Sequence, residues 1–482
     1  MKMLIDSTWT DASDGSRRDI INSATGEIID SVPTATDADI ERAIEAAQAG
    51  KERMAALPAY RRAEILNTAA DRMTKDKEFL ANLLARENGK PIRQTREEVA
   101  AAIRIFRGFA EESKRLFGKS SALDMVPGME GHFAFTLRRP VGVVAAIVPF
   151  NYPVELYAHK GPAAIAAGNS VIVKPPSDCP LAILKIAEYL EEAGLPRGAH
   201  QVITGPGEKV GDALARSPHI QLISLTGSTP VGIRISTLAA ETLKKVHLEL
   251  GGNDPIIVFK DADIDRATEA VVLGRLARGN GQICCAVKRI FVAKEIGKEF
   301  SALLAEKAKK LKVGDPLGED TDVGPLITEG AAKNVETAIE DAIAKGAVLL
   351  SGGKRRGCFI EPTVLGDVPG DAGLLSNETF GPVAPVVTFS SPEEALVLAN
   401  NNSFGLQAAV FTRDIATAMD LAYRLEVGGV VINWSSAVRV ENMPFGGVKL
   451  SGHGRESIHD TLLDMTEQKT VILFDALSVF KA

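Results

Sequence analysis

Short apolar runs alternate with amphipathic segments along most of this chain, and that alternation constrains the fold more than any other feature. In the first half, strands are predicted at 141–148, 170–173, 201–203, 220–225 and 245–250. The clearest helix between them covers 180–193, with apolar residues on one face and Gly194 and Pro196 beyond its end. Strands and helices at this spacing predict a parallel, doubly wound α/β sheet, which binds ligands at the carboxyl ends of its strands.

Two further regions flank this first set. Residues 35–112 have apolar residues at three- and four-residue spacing, which predicts helices. From residue 255 onward, strands are predicted at 256–259, 289–292, 383–389, 408–411 and 429–432, and helices at 264–277, 298–310, 331–344, 392–399 and 415–425. We therefore expect a second α/β domain, joined tightly to the first near Gly251. A β-like run at 470–474 has no local partner and is expected to cover a sheet edge, with a partner subunit as one candidate.

Composition excludes several classes of function. The chain has 482 residues, too many for one core, and its net charge of -7 without a basic tract argues against a nucleic-acid partner. The most apolar stretch, 141–150, is about half as long as a membrane span, and the first residues do not resemble a signal peptide. The four cysteines show neither a disulfide framework nor CxxC spacing. We expect a cytoplasmic protein without a metal site.

Cys284 is a candidate nucleophile. It follows a glycine-containing turn at 279–281, which would let backbone N–H groups face a reacting carbonyl. A thiol in that place could attack the carbonyl carbon, and its own amide could stabilise the oxyanion. The alternative is a core residue, since a lone cysteine in an apolar run is usually packed inside.

Two polar residues at strand ends are also candidates. Glu249 ends an apolar strand and is followed by two glycines, so it is either a hydrogen-bonded structural acid or a general base whose pKa is raised by burial. Asn151 lies between Pro149 and Pro153, where it could donate to an oxyanion or cap the helix that Pro153 would start.

Nucleotide-binding signals are present but unusual. Lys174 stands at the carboxyl end of a predicted strand, and the segment 225–230 reads as a strand, a small polar turn and a helix start that could hold a pyrophosphate. No GxGxxG follows a strand; Gly205, Gly207 and Gly211 are the nearest set, and their spacing differs. The residues by themselves indicate a two-domain α/β enzyme with a cofactor and a candidate thiol.

Seven segments in order resemble the aldehyde dehydrogenase superfamily. They are PFNYP at 149–153, VIVKPP at 171–176, LTGS at 225–228, ELGG at 249–252, GQIC at 281–284, ETFGP at 378–382 and PFGG at 444–447. The resemblance extends from about residue 10 to the C-terminus. Each motif is weak alone, but their order and gaps are specific, and this family also lacks the usual dinucleotide fingerprint.

The resemblance implies roles for individual residues. Cys284 resembles the nucleophile that forms a thiohemiacetal and then a thioester, Asn151 the oxyanion donor, and Glu249 the base that activates the hydrolytic water. The implied cofactor-binding residues are Pro149, Lys174, Ser177, Gly207, Thr226, Gly227, Ser228, Glu378 and Phe380. Cys285 is expected to be a bystander, Cys179 and Cys358 to be structural, and no metal is required.

The family fold also implies an architecture. It has two doubly wound, Rossmann-like α/β domains and a small β arm that bridges subunits of a homodimer or homotetramer. On this chain the cofactor-binding domain would comprise 1–119 and 140–250, the catalytic domain 251–450, and the bridging arm 120–139 and 460–482.

Single positions bear on cofactor and substrate choice. Ser177 stands where members that prefer NAD often have glutamate, so NADP is expected to be accepted, with NAD as the alternative. Segments 98–110, 156–160 and 435–439 resemble the branch that acts on lactaldehyde, phosphonoacetaldehyde, sulfolactaldehyde and glyceraldehyde 3-phosphate. Arg439, with His159 and Ile283, is therefore expected to contact the substrate, a small anionic or hydroxylated aldehyde.

Three alternatives stay open at this stage. Arg439 could be only a surface ion-pair residue, and Ile283 and Ala101 replace arginines found in relatives that select phosphate. A CoA-acylating enzyme would use the same thiol, although Glu249 favours water as the acyl acceptor. A catalytically silent structural relative would be expected to have lost one of Cys284, Glu249 and Asn151.

Overall fold

Two large β-sheets organise this computed structural model, which describes residues 1–475. The first sheet has eight strands in the order Thr8–Thr10, Met3–Ile5, His200–Val202, Ser170–Lys174, Val143–Ile147, Leu222–Thr226, Lys245–Glu249 and Gly452–His453. The five strands predicted from the sequence form its parallel centre, and antiparallel strands from the two ends of the chain close its edges. The predicted doubly wound sheet is confirmed.

The second sheet has seven strands. Their order is Val348–Ser351, Thr363–Gly366, Val383–Phe389, Val287–Ala293, Asp254–Val258, Gln407–Phe411 and Gly429–Ile432. All five predicted strands are present, within two residues of the predicted bounds. The strands Val348–Ser351 and Thr363–Gly366 were not predicted from the sequence. The first is partly exposed and the second is fully buried, but four residues carry little periodic signal in either case.

Helices cover both faces of the two sheets. They are Asp37–Ala56, Ala59–Lys75, Lys77–Asn88, Ile92–Glu112, Pro153–Ala158, Gly161–Ala167, Leu181–Glu192, Gly207–Arg216, Thr229–Ala240, Ile264–Val271, Gly297–Lys309, Glu329–Ala344, Gly373–Ser376, Pro392–Asn400, Ile415–Arg424 and Ile458–Asp464. Within residues 1–475, no helix is long and apolar enough to cross a membrane.

One predicted helix differs from the structure. The segment 264–277 is α-helical only over Ile264–Val271 and then widens into a π-helical turn over Val272–Ala277. The spacing of apolar residues does not distinguish the α-helix from the π-helical turn, because both bury apolar residues on the same side. Such π-turns are often found at functional sites, and this one leads directly into the loop that carries Cys284.

A third, three-stranded sheet joins the two ends of the predicted arm. Thr466–Leu473 pairs antiparallel with Phe133–Pro140 over eight residue pairs, and Ser120–Ala122 lies on the other side of that strand. The β-like run at 470–474 therefore has a partner in its own chain. Residues 476–482 of the predicted arm lie outside the described residues. The bridging role of the arm and the division into domains stay predictions.

Candidate active site

The loop before Cys284 turns sharply. Gly279, Asn280 and Gly281 have positive φ angles of 58°, 55° and 72°, in the left-handed region that residues other than glycine rarely adopt. The side chain of Asn280 secures its own turn by donating to two backbone carbonyls of distant segments, at 3.0 and 2.9 Å. The turn therefore presents Cys284 in a fixed position just before the strand Val287–Ala293.

The same loop packs tightly against the segment that carries Glu378. A Cβ atom on Gly281 would lie 2.4 Å from the carbonyl carbon of Gly381, so no larger residue fits there. The buried guanidinium of Arg275 connects the two loops, because it donates to the carbonyl of Thr379 at 3.0 Å and to that of Gly281 at 3.4 Å. The candidate nucleophile and a predicted cofactor residue thus belong to one packed unit.

Cys284 and the adjacent Cys285 titrate as a pair. Their mutual hydrogen bond and burial raise the pKa of the Cys284 thiol well above its ordinary range, and the same hydrogen bond lowers the pKa of Cys285 to about 7. The positive charge of Lys288 favours the thiolate at both positions. One proton therefore leaves the pair near neutral pH and the second is retained. Cys285, expected to be a bystander, contacts the candidate nucleophile directly.

Glu249 is buried without a hydrogen-bond partner. Its side chain ends the strand Lys245–Glu249 and is 2% exposed, and burial raises the pKa of its carboxyl group. Among residues 1–475, neither carboxylate oxygen has a hydrogen-bond partner. The direct hydrogen bonds expected of a structural acid are thus missing among these residues, His247 Nε2 lies 3.8 Å from Oε1, and the role of Glu249 stays a prediction. Ionisable groups kept in such surroundings are concentrated at functional sites.

Glycines bring Glu249 and Cys284 to the same junction between the sheets. A Cβ atom on Gly252 would lie 2.7 Å from the carbonyl oxygen of Cys284, and one on Gly446 would lie 2.8 Å from Oε1 of Glu249. The motifs ELGG, GQIC and PFGG, which are far apart in the sequence, therefore meet here.

Asn151 is buried between the strand Val143–Ile147 and the helix Pro153–Ala158. The sequence left open that Asn151 caps this helix, but Tyr152 occupies the cap position and makes no side-chain capping bond. The preceding carbonyl of Phe150 is fixed by the side-chain amide of Asn88 at 2.6 Å. The Asn151 amide is thus free of the capping role that competed with oxyanion binding.

Lys174 and Ser177 form one corner of the predicted cofactor site. The ammonium of Lys174 donates to the Ser177 hydroxyl at 3.0 Å, and that hydroxyl donates to the carbonyl of Gly205 at 3.1 Å. Burial lowers the pKa of Lys174 to about 8. A Cβ atom on Gly207 would lie 3.7 Å from the Lys174 ammonium, so Gly207 borders the same corner.

Open polar groups lie at the next strand end. Thr226 ends the strand Leu222–Thr226, and its hydroxyl oxygen is buried without a partner among the described residues. Ser228 caps the helix Thr229–Ala240 without a side-chain capping bond, so the helix N-terminus keeps free N–H groups. Gly227 lies between them, and Pro149 follows the neighbouring strand Val143–Ile147 in the same sheet. These groups fit a pyrophosphate.

Glu378 and Phe380 face the site from the second half of the chain. The Glu378 carboxylate lies 3.0 Å from the ammonium of Lys288 and accepts a hydrogen bond from the backbone N–H of Gly252 at 3.1 Å. The Phe380 ring packs edge-on against Phe150, with 5.8 Å between centroids. Both side chains line a cleft of about 900 Å³, large enough for part of a dinucleotide.

A separate cavity of about 330 Å³ has a strongly charged wall. Tyr152 connects this cavity to the nucleophile, because its ring lines the cavity and also packs in the apolar cluster around Cys284. The charged side chains that line the cavity are Lys77, Arg96, Arg104, Arg278, Arg439, Glu97, Glu98, Glu155 and Glu441. A small polar or anionic molecule suits such a wall better than an apolar one.

Two of the predicted substrate residues line this cavity. Arg439 donates to the buried Glu456 carboxylate at 2.7 Å, and its side chain is only 11% exposed, so it is not a surface residue. His159 is buried, and burial lowers its pKa well below the ordinary value. Ile283 packs instead in the apolar cluster with Cys285 and Phe445.

Arg278 is the cavity residue that sequence reasoning missed. Its guanidinium lies 5.8 Å from the Tyr152 ring and donates to the carbonyl of Ala437 at 2.6 Å. Within residues 1–475, no carboxylate lies within salt-bridge distance of it. Its position immediately before Gly279 was the available signal, since a residue that flanks the nucleophile turn must lie near the reaction site.

Comparison with known proteins agrees with this geometry. The model of the aldehyde dehydrogenase family matches residues 9–471. The chain is 40% identical to a 3-sulfolactaldehyde dehydrogenase of Priestia aryabhattai over 457 residues, which cover 95% of each chain. It is 41% identical to a lactaldehyde dehydrogenase of Methanococcus vannielii, covering 98% of this chain and 99% of that one.

A solved structure shares the fold over nearly the whole chain. An NADP-dependent glyceraldehyde-3-phosphate dehydrogenase of Bacillus halodurans, crystallised with NADP, superposes with a TM-score of 0.95 at 37% identity. The alignment covers 98% of this chain and 99% of that one. Similarity of this extent spans both sheets and the three-stranded arm.

Proposed function

The chain belongs to the aldehyde dehydrogenase family, and we propose that it oxidises a small anionic or hydroxylated aldehyde to the carboxylate with NADP or NAD. The observation that carries the substrate class is the cation of Arg278, which lines the cavity beside the nucleophile loop. Among the described residues it forms no salt bridge, and Glu155 of the same cavity acts on it only at longer range. The relatives named for sulfolactaldehyde and lactaldehyde act on aldehydes of this kind, which supports the proposal.

The side chains around the junction supply the chemistry of acylation. The Cys284 thiolate adds to the aldehyde carbon, and the resulting thiohemiacetal oxyanion is stabilised by the Asn151 amide and the Cys284 backbone N–H. A nicotinamide held there would supply the hydride acceptor for oxidation of the thiohemiacetal to the thioester. Lys174, Ser177, Thr226, Gly227, Ser228, Gly207, Pro149, Glu378 and Phe380 would hold the dinucleotide.

Glu249 is suited to the hydrolytic step. Its carboxylate takes a proton from water, the hydroxide oxygen bonds to the thioester carbon, and the carbon–sulfur bond breaks to return the Cys284 thiolate. A buried base without hydrogen-bond donors of its own keeps both oxygens available for that water. This arrangement favours water over CoA as the acyl acceptor.

Ser177 supports acceptance of NADP. Its hydroxyl lies between Lys174 and Gly205, and a neutral side chain there does not repel a 2′-phosphate. Among the described residues, the strand Thr466–Leu473 is an edge of its three-stranded sheet, which supports the proposal that the arm pairs with another subunit in a homodimer or homotetramer. A reducing cytoplasm would keep the catalytic thiol active.

The test is a substrate panel with the purified protein. We expect kcat/KM for succinate semialdehyde, lactaldehyde or glyceraldehyde 3-phosphate to exceed that for hexanal, with either NAD or NADP. Hexanal as the best substrate would contradict the substrate class. A rate that depends on added CoA would favour the acylating alternative, and absence of NAD(P)H formation with every aldehyde would favour the silent relative.

A further inference from the structure

His247 lies between the candidate base and the protein surface. It is two residues before Glu249 on the same strand, so both side chains point to one face of the sheet. Its Nε2 atom lies 3.8 Å from Oε1 of Glu249, and its Nδ1 atom lies 3.1 Å from a carboxylate oxygen of Asp464. The His247 side chain is 6% exposed, whereas that of Asp464 is 50% exposed.

The backbone of a neighbouring loop fixes the imidazole ring. A Cβ atom on Gly454 would lie 2.6 Å from Nδ1 of His247, so only glycine allows the ring this position. Nε2 has no hydrogen-bond partner among the described residues, and neither has either oxygen of Glu249. The ring and the carboxylate thus face each other across a gap that a small movement would close.

The hydrolytic step requires Glu249 to be ionised, but its surroundings oppose this. Burial and the charge of Glu456 both favour the neutral form of the carboxyl group. Arg439 favours the ionised form, yet its guanidinium is already paired with Glu456. Lys160 is also held by Glu456, at 2.7 Å.

The Arg455 guanidinium also lies near Glu249, because a Cβ atom on Gly446 would lie 3.1 Å from its Nη1 and 2.8 Å from Oε1 of Glu249, but it donates to the backbone carbonyls of Gly447 and Gly454. Among the described residues, His247 is the cation that lies within 4 Å of the Glu249 carboxylate.

The charge state of His247 follows from its partners. Burial alone would lower its pKa, but the hydrogen bond with Asp464, the interaction with Glu249 and the charge of Glu456 together raise the pKa to about 9. The ring is consequently an imidazolium at neutral pH, between one exposed and one buried carboxylate.

We propose that His247 is a positioning residue of the hydrolytic step: held by Asp464, its imidazolium keeps the buried carboxylate of Glu249 ionised and oriented to accept a proton from water. The inference rests on the proposed role of Glu249 as the base. It assigns His247 no contact with aldehyde or cofactor, so acylation and hydride transfer do not depend on it.

The test is the pH dependence of acyl-enzyme hydrolysis, measured as the slow phase after the NAD(P)H burst in the wild type and the variants. In His247→Gln, the midpoint of the hydrolysis rate should move to higher pH by about one unit, because one nearby positive charge is lost. At pH values below the midpoint the slow phase should then be about tenfold slower, with the burst amplitude retained. Asp464→Asn should also move the midpoint to higher pH, but by less, because it only weakens the protonation of His247.

His200→Gln is the matched control. His200 is buried in the same sheet and interacts with the Tyr157 hydroxyl at 3.1 Å, but burial lowers its pKa to about 3, so it is neutral. Its replacement should leave the midpoint unchanged. An unchanged midpoint in both His247→Gln and Asp464→Asn overturns the inference. If His247→Gln does not fold, the variant Asp464→Asn still tests the inference, because the Asp464 side chain is half-exposed.

Glu249→Gln separates failure of this inference from failure of the proposed function. If Glu249 is the base, this variant gives a burst and then a slow phase that no longer responds to pH across the wild-type midpoint. An unchanged steady rate in Glu249→Gln would remove the base assignment itself. A trapped Glu249→Gln acyl-enzyme together with wild-type midpoints in His247→Gln and Asp464→Asn would remove only the role of His247.

Discussion

The ammonium of Lys288 lies 3.0 Å from the carboxylate of Glu378 and also donates to the backbone carbonyl of Cys284. Lys288 is 1% exposed, so water screens its charge little and the charge acts on both neighbours. Glu378, which is expected to bind the cofactor, and the candidate nucleophile are therefore connected through one buried cation.

Replacement of Lys288 by Met should reduce the reactivity of the nucleophile. The positive charge of Lys288 favours the thiolate of Cys284 and Cys285, so its loss should move the midpoint of iodoacetamide alkylation to higher pH. Glu378 should also lose its orientation, which raises KM for the cofactor. Lys294→Met is the control, since Lys294 follows the same strand but is exposed. Identical alkylation profiles in the two variants would contradict the role of Lys288.

Replacement of Cys284 should abolish turnover, whereas replacement of Cys285 should not. Cys284→Ala should eliminate turnover and leave cofactor binding intact. Cys285→Ala should retain turnover and form the Cys284 thiolate at lower pH, because the hydrogen bond and the charge of Cys285 that raise the pKa of Cys284 are lost. The measurements are the pH–rate profile and cofactor titration by fluorescence. Loss of turnover in Cys285→Ala with retention in Cys284→Ala would reverse the assignment.

Ser177→Glu should change cofactor preference. The new carboxylate would lie near the Lys174 ammonium, which Ser177 now contacts at 3.0 Å, and would repel a 2′-phosphate. The ratio of kcat/KM for NADP to that for NAD should fall at least about tenfold, the effect of one unfavourable charge contact. Ser177→Ala, which keeps the site neutral, should leave that ratio close to the wild-type value. An unchanged ratio in Ser177→Glu would show that this side chain does not face the ribose.

Replacement of Arg278 should weaken the use of anionic substrates, whereas replacement of Arg439 should lower the stability of the protein. Arg278→Ala should lower kcat/KM for succinate semialdehyde by roughly ten- to a hundredfold and leave hexanal almost unaffected, because a hydrogen bond to a charged group is lost. Arg439→Ala should instead lower Tm, since it removes a partner from the buried Glu456. Arg104→Ala, which changes a 61% exposed cation at the same cavity, is the control. Equal losses for the anionic and the apolar aldehyde in Arg278→Ala would exclude a charge contact.

Local sequence patterns were enough to predict the main strands and helices of this protein. Alternation of apolar runs and amphipathic segments depends on local periodicity, so the parallel strands around Lys174 and Glu249 were predictable within a few residues. The motif order likewise identified Cys284, Glu249 and Asn151 as candidates. Short strands such as Thr363–Gly366 were missed, because four residues carry too little periodic signal.

Which buried charged side chains pair with each other could not be predicted from these local patterns. His247 and Asp464 are 217 positions apart, and Lys160 and Glu456 are 296 apart, yet each pair is in contact. Local patterns record whether a residue faces a core, but the partner of a buried charge depends on how the two sheets and the closing segment at Gly452–His453 pack together. The pKa of Glu249 consequently depends on the tertiary structure, since the groups that raise it and the groups that lower it come from separate parts of the chain.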